Sequence, residues 1–213
     1  MRRCTLPVTI AVALAGLAIA GPGVAQTIDR VMAAVGGRVV TLSDVRAARE
    51  LGLVGGASQA GGTRDVVDRL IDRILMLEEV ERYAPPEPDP RAVEARLDAM
   101  RAAFPSSEAF AAALRVSGMD EAALWQWVRS DLRINAYLDQ RFAAAIEPTG
   151  EELENYVRQV GSELETGGRT LDDQQLRRLA RERAIAERRQ ALIRDWIEGL
   201  RRRAAVTYTQ APR

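Results

Sequence analysis

Two short stretches at opposite ends of the chain each read as part of a sheet, and neither is stable without a partner. In TIDRVMAAVGGRVVTLSDV, Val31, Ala33 and Val35 alternate with Met32 and Ala34, Gly36-Gly37 supplies a two-residue turn, and Arg38-Val39-Val40 returns, which is the signature of a β-hairpin. An isolated hairpin is marginal in water. Near the other end, in WIEGLRRRAAVTYT, an amphipathic helix carrying Trp196, Ile197 and Leu200 runs into Ala205-Val206-Thr207-Tyr208, a period-2 stretch that needs a neighbouring strand. The hairpin over 27–41 and a strand over 205–209 are therefore expected to share one small antiparallel sheet.

Between these ends, residues 42–163 read as a series of helices with clear punctuation. Thr41 with Asp44 three positions on caps the first, which stops in the Gly/Ala/Ser-rich LVGGASQAGG. Thr63 is placed as the cap of a second helix to Tyr83, whose Val66, Val67, Leu70, Ile71, Ile74, Leu77 and Val80 form a broad apolar stripe. After the proline-rich APPEPDP, Asp89 caps and Pro90 opens a third helix bearing Val93, Leu97 and Met100. A short helix over Ser107 to Val116 closes at Gly118, and Asp120 caps a long one to Phe142. Thr149 with Glu152 makes a capping box for EELENYVRQVG.

The last helix is expected over 170–203. At about 100° per residue, Leu176, Leu179 and Ala180 point one way, while Ile185, Leu192, Ile193, Trp196, Ile197 and Leu200 cluster on another face. Its halves should pack on different partners, or bend between Ala180 and Ala186. The fold class is thus mainly α, a single domain over 26–213 with a small antiparallel sheet.

Residues 1–25 carry Arg2 and Arg3, then an Ala/Leu/Val/Ile run, then Gly-Val-Ala, the pattern of a cleavable secretory signal with cleavage expected after Ala25. The apolar run is shorter than the roughly 20 residues needed to span a bilayer, so no membrane anchor is expected after cleavage, and the chain reads as secreted. The chain has one cysteine, Cys4, and no histidine. A mature protein without either residue lacks the parts for Ser-His-Asp or Cys-His catalysis and for the common zinc sets. No GxGxxG or GxxxxGK[ST] motif occurs, the Gly55-Gly56 and Gly61-Gly62 pairs falling in a loop. Glu78/Glu79 and Glu151/Glu152 read as surface or capping carboxylates. No enzyme, cofactor or metal is expected.

The chain holds 30 basic and 30 acidic residues, and loss of Arg2 and Arg3 leaves 28 against 30, a net of −2. A nucleic-acid partner normally calls for a basic excess, so none is expected. Every basic residue is arginine. Base composition of the gene is the simpler cause, and Arg201-Arg202-Arg203 reads as a solvated helix end that complements the dipole.

Taken in order, these blocks resemble the SurA family of periplasmic chaperones. Val31, Ala34, Val35, Val39, Ser43, Asp44 and Val45 fit the opening hairpin, and Leu70, Ile71, Ile74 and Leu75 fit its second helix. Leu124 to Phe142 fits the long helix, and Trp196, Arg201, Ala204 and Val206 fit the C-terminal signature. The resemblance implies a core in which the terminal helix and strand join the N-terminal hairpin. Many relatives insert one or two parvulin-type prolyl isomerase domains, each on the order of 100 residues. This chain has only SELETGGRTLDD at that point, and it lacks the histidines that line parvulin sites.

The expected function is an ATP-independent holdase that binds unfolded or outer-membrane-bound polypeptides through an accessible apolar groove. A scaffold or accessory subunit with one defined partner, in the form of a homodimer through exchanged helices, is the alternative; a residual prolyl isomerase ranks last. Candidate peptide-binding residues are Met100, Phe104, Phe110, Leu114, Met119, Trp125 and Trp127, since aromatic and Met side chains suit promiscuous contact. Filling the core is the competing reading for each. Trp125 lies at the margin of the stripe formed by Leu124, Trp127, Val128, Leu132, Ile134, Leu138 and Phe142, and is expected to be exposed. Asp131 and Asn135 interrupt that stripe one turn apart. A buried unpaired carboxylate is costly, so an arginine or backbone donor is expected at Asp131, or a wet groove.

Overall fold

Gly36 and Gly37 take φ of 57° and 76°, the pair of positive values that a type I′ turn requires. They join β1 (Val31–Val35) to β2 (Arg38–Thr41) in an antiparallel hairpin with Val35 opposite Arg38, Ala34 opposite Val39 and Ala33 opposite Val40. Thr41 ends the hairpin and caps α1 (Leu42–Glu50): its hydroxyl accepts from the Asp44 N–H, and the Asp44 carboxylate accepts from the Thr41 N–H at 2.8 Å. The computed structural model describes residues 29–55, 62–144, 147–166 and 171–209. The expected signal over 1–25, with Cys4, and the loop glycines Gly56 and Gly61 lie outside them.

α2 (Thr63–Tyr83) is capped by Gly62 rather than by Thr63. The reason is Asp65, whose carboxylate accepts from the Gly62 N–H at 3.0 Å, while the Thr63 hydroxyl accepts from Arg49. Asp89 accepts from the Arg91 N–H at the start of α3 (Pro90–Ala102), and Ser106 from the Ala109 N–H at the start of α4 (Ser107–Ser117). Gly118, at φ 71°, lets the chain turn out of α4. Asp120 accepts from the Ala123 N–H to start α5 (Glu121–Phe142). The Thr149–Glu152 box starts α6 (Gly150–Thr166), which runs five residues past the expected end at Gly161.

α7 (Asp173–Arg203) begins at an Asp172–Gln175 capping box, later than the expected Thr170, and runs unbroken for 31 residues. Its change of face is met by a change of partner. Its first half lies along α6, and its second half packs on α2 and α5. Leu179 does not share the buried face expected for it; it is exposed, and the seam is formed by Ala180 and Ala184.

β3 (Thr207–Tyr208) pairs antiparallel with β1, Tyr208 opposite Ala33 and Thr207 opposite Ala34, giving the order β2-β1-β3. The strand is shorter than the expected 205–209; Ala205 and Val206 precede it, Val206 packing on the core. Beyond it, the Thr209 N–H still donates to the Met32 carbonyl at 3.1 Å. The C-terminal strand thus completes the sheet opened by the hairpin.

Among the described residues, three apolar clusters form the core. The first lies under the sheet and joins Ala33, Val35 and Val40 to Val45, Val66, Ile71, Leu75 and Leu200. The second joins α3, α4 and the first half of α5 through Val93, Leu97, Phe110, Leu114, Leu124 and Val128. The third joins the end of α2 to α5 through Val80, Ile134, Tyr137 and Leu138, with Trp196 of α7 against it. Burying one such side chain stabilises the fold by roughly 1.5–3 kcal/mol.

Candidate functional site

Of the seven candidate residues, the structure takes two into the core. Phe110 and Leu114 are 5% and 8% exposed, so neither is open to a ligand at the surface. Met100, Phe104, Met119 and Trp125 are half-buried against the same cluster, Phe104 meeting Phe110 edge-on at 5.3 Å. Trp125 is not the exposed ring expected of it: its Nε1–H donates to Glu94 at 2.9 Å, so the ring lies down across α3. The physical reason is shared. Two short amphipathic helices and the first half of α5 enclose a small volume, and their aromatic and Met side chains are what fills it.

Trp127 behaves differently. It packs on the first cluster rather than the second, and it divides two surface grooves. On one side is a groove of about 260 Å³ that brings Trp127 together with Met100, Phe104 and Leu53; on the other is a cleft of about 440 Å³ between β2, α2 and α5. The cleft is walled by Val39 and Val40 from the strand, Leu70, Ile74 and Leu77 from α2, and Trp127 from α5. Val39 is 53% exposed. Charge sits at its rim, where Arg38 donates to both Glu81 oxygens at 2.9 and 3.0 Å and Asp44 is held by the Thr41 cap.

The cleft wall also contains Arg73. At about 100° per residue Arg73 falls between Leu77 and Val80, inside the apolar stripe of α2, and it is only 6% exposed. Its guanidinium lies 3.9 Å over the Trp127 ring, and Nη2 donates to the Trp127 carbonyl at 3.0 Å. Asp131 is 3.7 Å from Nη1, too far to accept from it, and Nη1 has no hydrogen-bond acceptor. Burial pushes the Arg73 pKa down to about 10, with Asp131 opposing the shift. An arginine does meet Asp131, as its place in the stripe required, but the burial is reversed: Arg73 is enclosed, and Asp131 is partly exposed and accepts from Asn135 Nδ2.

Arg201 departs from its expected role as part of a solvated helix end. It donates through Nε to Asp72 and through Nη2 to the Asp68 carbonyl, and the Tyr208 hydroxyl donates to the Asp68 carboxylate. Arg64 lies 3.4 Å over the Tyr208 ring. These contacts fasten the end of α7 and β3 to α2. Burial raises the Asp72 pKa, its bond with Arg201 working against that shift.

Val39, Ile74, Leu77 and Arg73 were not among the candidates. Two signals pointed to them. Val39 and Val40 are consecutive apolar residues in one strand, so one of them must face away from the core. Arg73 and Asp131 each interrupt an apolar stripe, and two such interruptions of opposite charge on neighbouring helices suggest a pair.

No protein-family model and no curated protein matches the chain. Among the described residues no helix is long and apolar enough to cross a membrane, and no group of three or more acidic side chains is placed to hold a metal ion.

Proposed function

We propose that this protein is a periplasmic, ATP-independent holdase of the SurA-like kind, which binds extended apolar segments of unfolded polypeptides by reversible contact. The observation that carries the reading is the 440 Å³ cleft beside β2, mainly apolar on its walls with Arg73 set among them, charged at its rim and open along an edge strand. An unfolded segment offers apolar side chains and unpaired backbone groups, and this cleft presents the complement to both. The union of hairpin and terminal strand in one sheet, and the order of helices between them, support the resemblance on which the reading rests.

The proposed binding surface differs from the one read in the sequence. Trp127 stays in it, while Phe110 and Leu114 serve the core. To test the function, the chain lacking residues 1–25 is mixed with an unfolded outer-membrane protein diluted from urea, and light scattering is followed. Suppression of aggregation at stoichiometric excess is expected, and Trp127→Ala should weaken it. Unchanged scattering at excess would overturn the holdase reading.

A further inference from the structure

Arg73 is a buried cation whose charge is met incompletely. Its hydrogen bond to the Trp127 carbonyl leaves Nη1 without an acceptor, and Asp131 stands at 3.7 Å. Enclosing a charge costs free energy that only close partners offset. The other charged groups of the cleft are already engaged, Arg38 by Glu81 and Asp44 by the Thr41 cap. The charge left on the cleft wall without a hydrogen-bonded carboxylate is therefore that of Arg73, a cation next to apolar walls.

β2 adds a second feature. Val35 and Arg38 flank a two-residue turn and so form a hydrogen-bonded pair, which makes Ala34 and Val39 a non-hydrogen-bonded pair. The Val39 N–H and C=O then point away from β1, along the free edge of the sheet. The Thr41 N–H is occupied by Asp44, so the edge offers one donor and one acceptor, both at Val39. A fatty acid meets the cation alone, whereas an extended peptide meets the cation and the edge.

Resting on the holdase reading above, we propose that the cleft takes an extended peptide segment in which an acidic side chain and an apolar one, two residues apart, enter together. The backbone pairs with Val39, the apolar side chain lies against Leu70 and Ile74, and the carboxylate meets the Arg73 guanidinium beside Trp127. Residues i and i+2 of a strand share a face, which sets that spacing.

The test uses the chain lacking residues 1–25 and two fluorescein-labelled, amidated peptides, one with a central Leu-Thr-Glu-Thr-Leu and one with Gln in place of Glu. Fluorescence anisotropy should show the Glu peptide binding on the order of tenfold tighter. Arg73→Met, which replaces a buried charge with an apolar chain of similar volume and should fold, is expected to remove that preference. Val39→Pro, tolerated on an edge strand, should weaken both peptides. Equal affinity for the two peptides, a preference that survives Arg73→Met, or competition by decanoate at the affinity of the Glu peptide would each overturn the proposal. If neither peptide binds while aggregation is still suppressed, this inference fails and the holdase reading stands.

Discussion

Val66, Ile71 and Val80 of α2 are sealed inside the body at 0% exposure, whereas among the described residues along the α6–α7 arm the buried apolar ones are Val160, Ala180 and Ala184. The arm is bridged instead by charge: Arg177 to Glu154, Arg181 to Glu147, Arg183 to Glu163 and Arg188 to Glu152, with the Tyr156 hydroxyl donating to Glu187. α6 packs extensively on α7 alone. The body therefore rests on removal of apolar surface from water, and the arm on exposed ion pairs that are individually weak and screened by salt. One helix, α7, belongs to both regimes, so the two regions are covalently continuous but differ in what loosens them.

Cutting into the body should have the largest effect. Ile71→Ala is expected to cost about 2–5 kcal/mol, read as a lower urea midpoint for the whole molecule, while Val160→Ala should cost less and leave the body's midpoint nearly unchanged. Equal losses from the two would erase the distinction. Next comes Gly36→Ala, which forces a side chain into the left-handed region with Glu78 directly beside it. A loss of about 1–3 kcal/mol is expected, with amide exchange in α6 unaffected. Tyr208→Phe removes one bond to Asp68 and should cost about 1 kcal/mol, seen as faster exchange at Thr207 and Thr209 and no change in the arm.

Acid sharpens the comparison through signs. The Thr149 cap, with Arg188 adding to it, holds the Glu152 carboxyl below its ordinary value, and bonds from Arg183 do the same for Glu163 and Glu187. A carboxyl whose folded pKa is depressed supports the fold above its unfolded value of 4.5 and loses that support as pH falls through the folded value. Asp72 in the body has a raised pKa, so the native state binds its proton more readily and gains relative stability as pH falls. Hydrogen exchange below pH 4.5 should therefore open α6 while α2 stays protected. The smallest effect is expected from 1 M NaCl, which should speed exchange in α6 slightly and leave α2 unchanged. Faster exchange in α2 than in α6 under either condition would contradict the division.

Much of this fold was legible because its boundaries are set by local chemistry. The Gly36-Gly37 turn, the Thr41, Asp89, Asp120 and Thr149 caps and the Gly118 stop each depend on residues within a few positions, and each is in place. Legibility ended where distant segments decide the outcome. Phe110 and Phe104 look the same in sequence whether they face a groove or each other, and only the closure of α3, α4 and α5 settles it. Arg201 reads as part of a basic run because its partner Asp72 lies more than 100 positions away. Trp127 stands out in the sequence, but that it shares a cleft with Val39 and Arg73 does not, since the cleft exists only once strand and helices meet.

The third strand carries a consequence for synthesis. Residues 31–35 leave the ribosome long before 207–208, so throughout translation β1 has one ladder unmatched, and the layer beneath it awaits Leu200 and Val206. A nascent or prematurely terminated product stopping short of Val206 would display that open margin to other polypeptides. Val206 to Tyr208 thus act as a latch that closes this margin of the sheet over the layer beneath it.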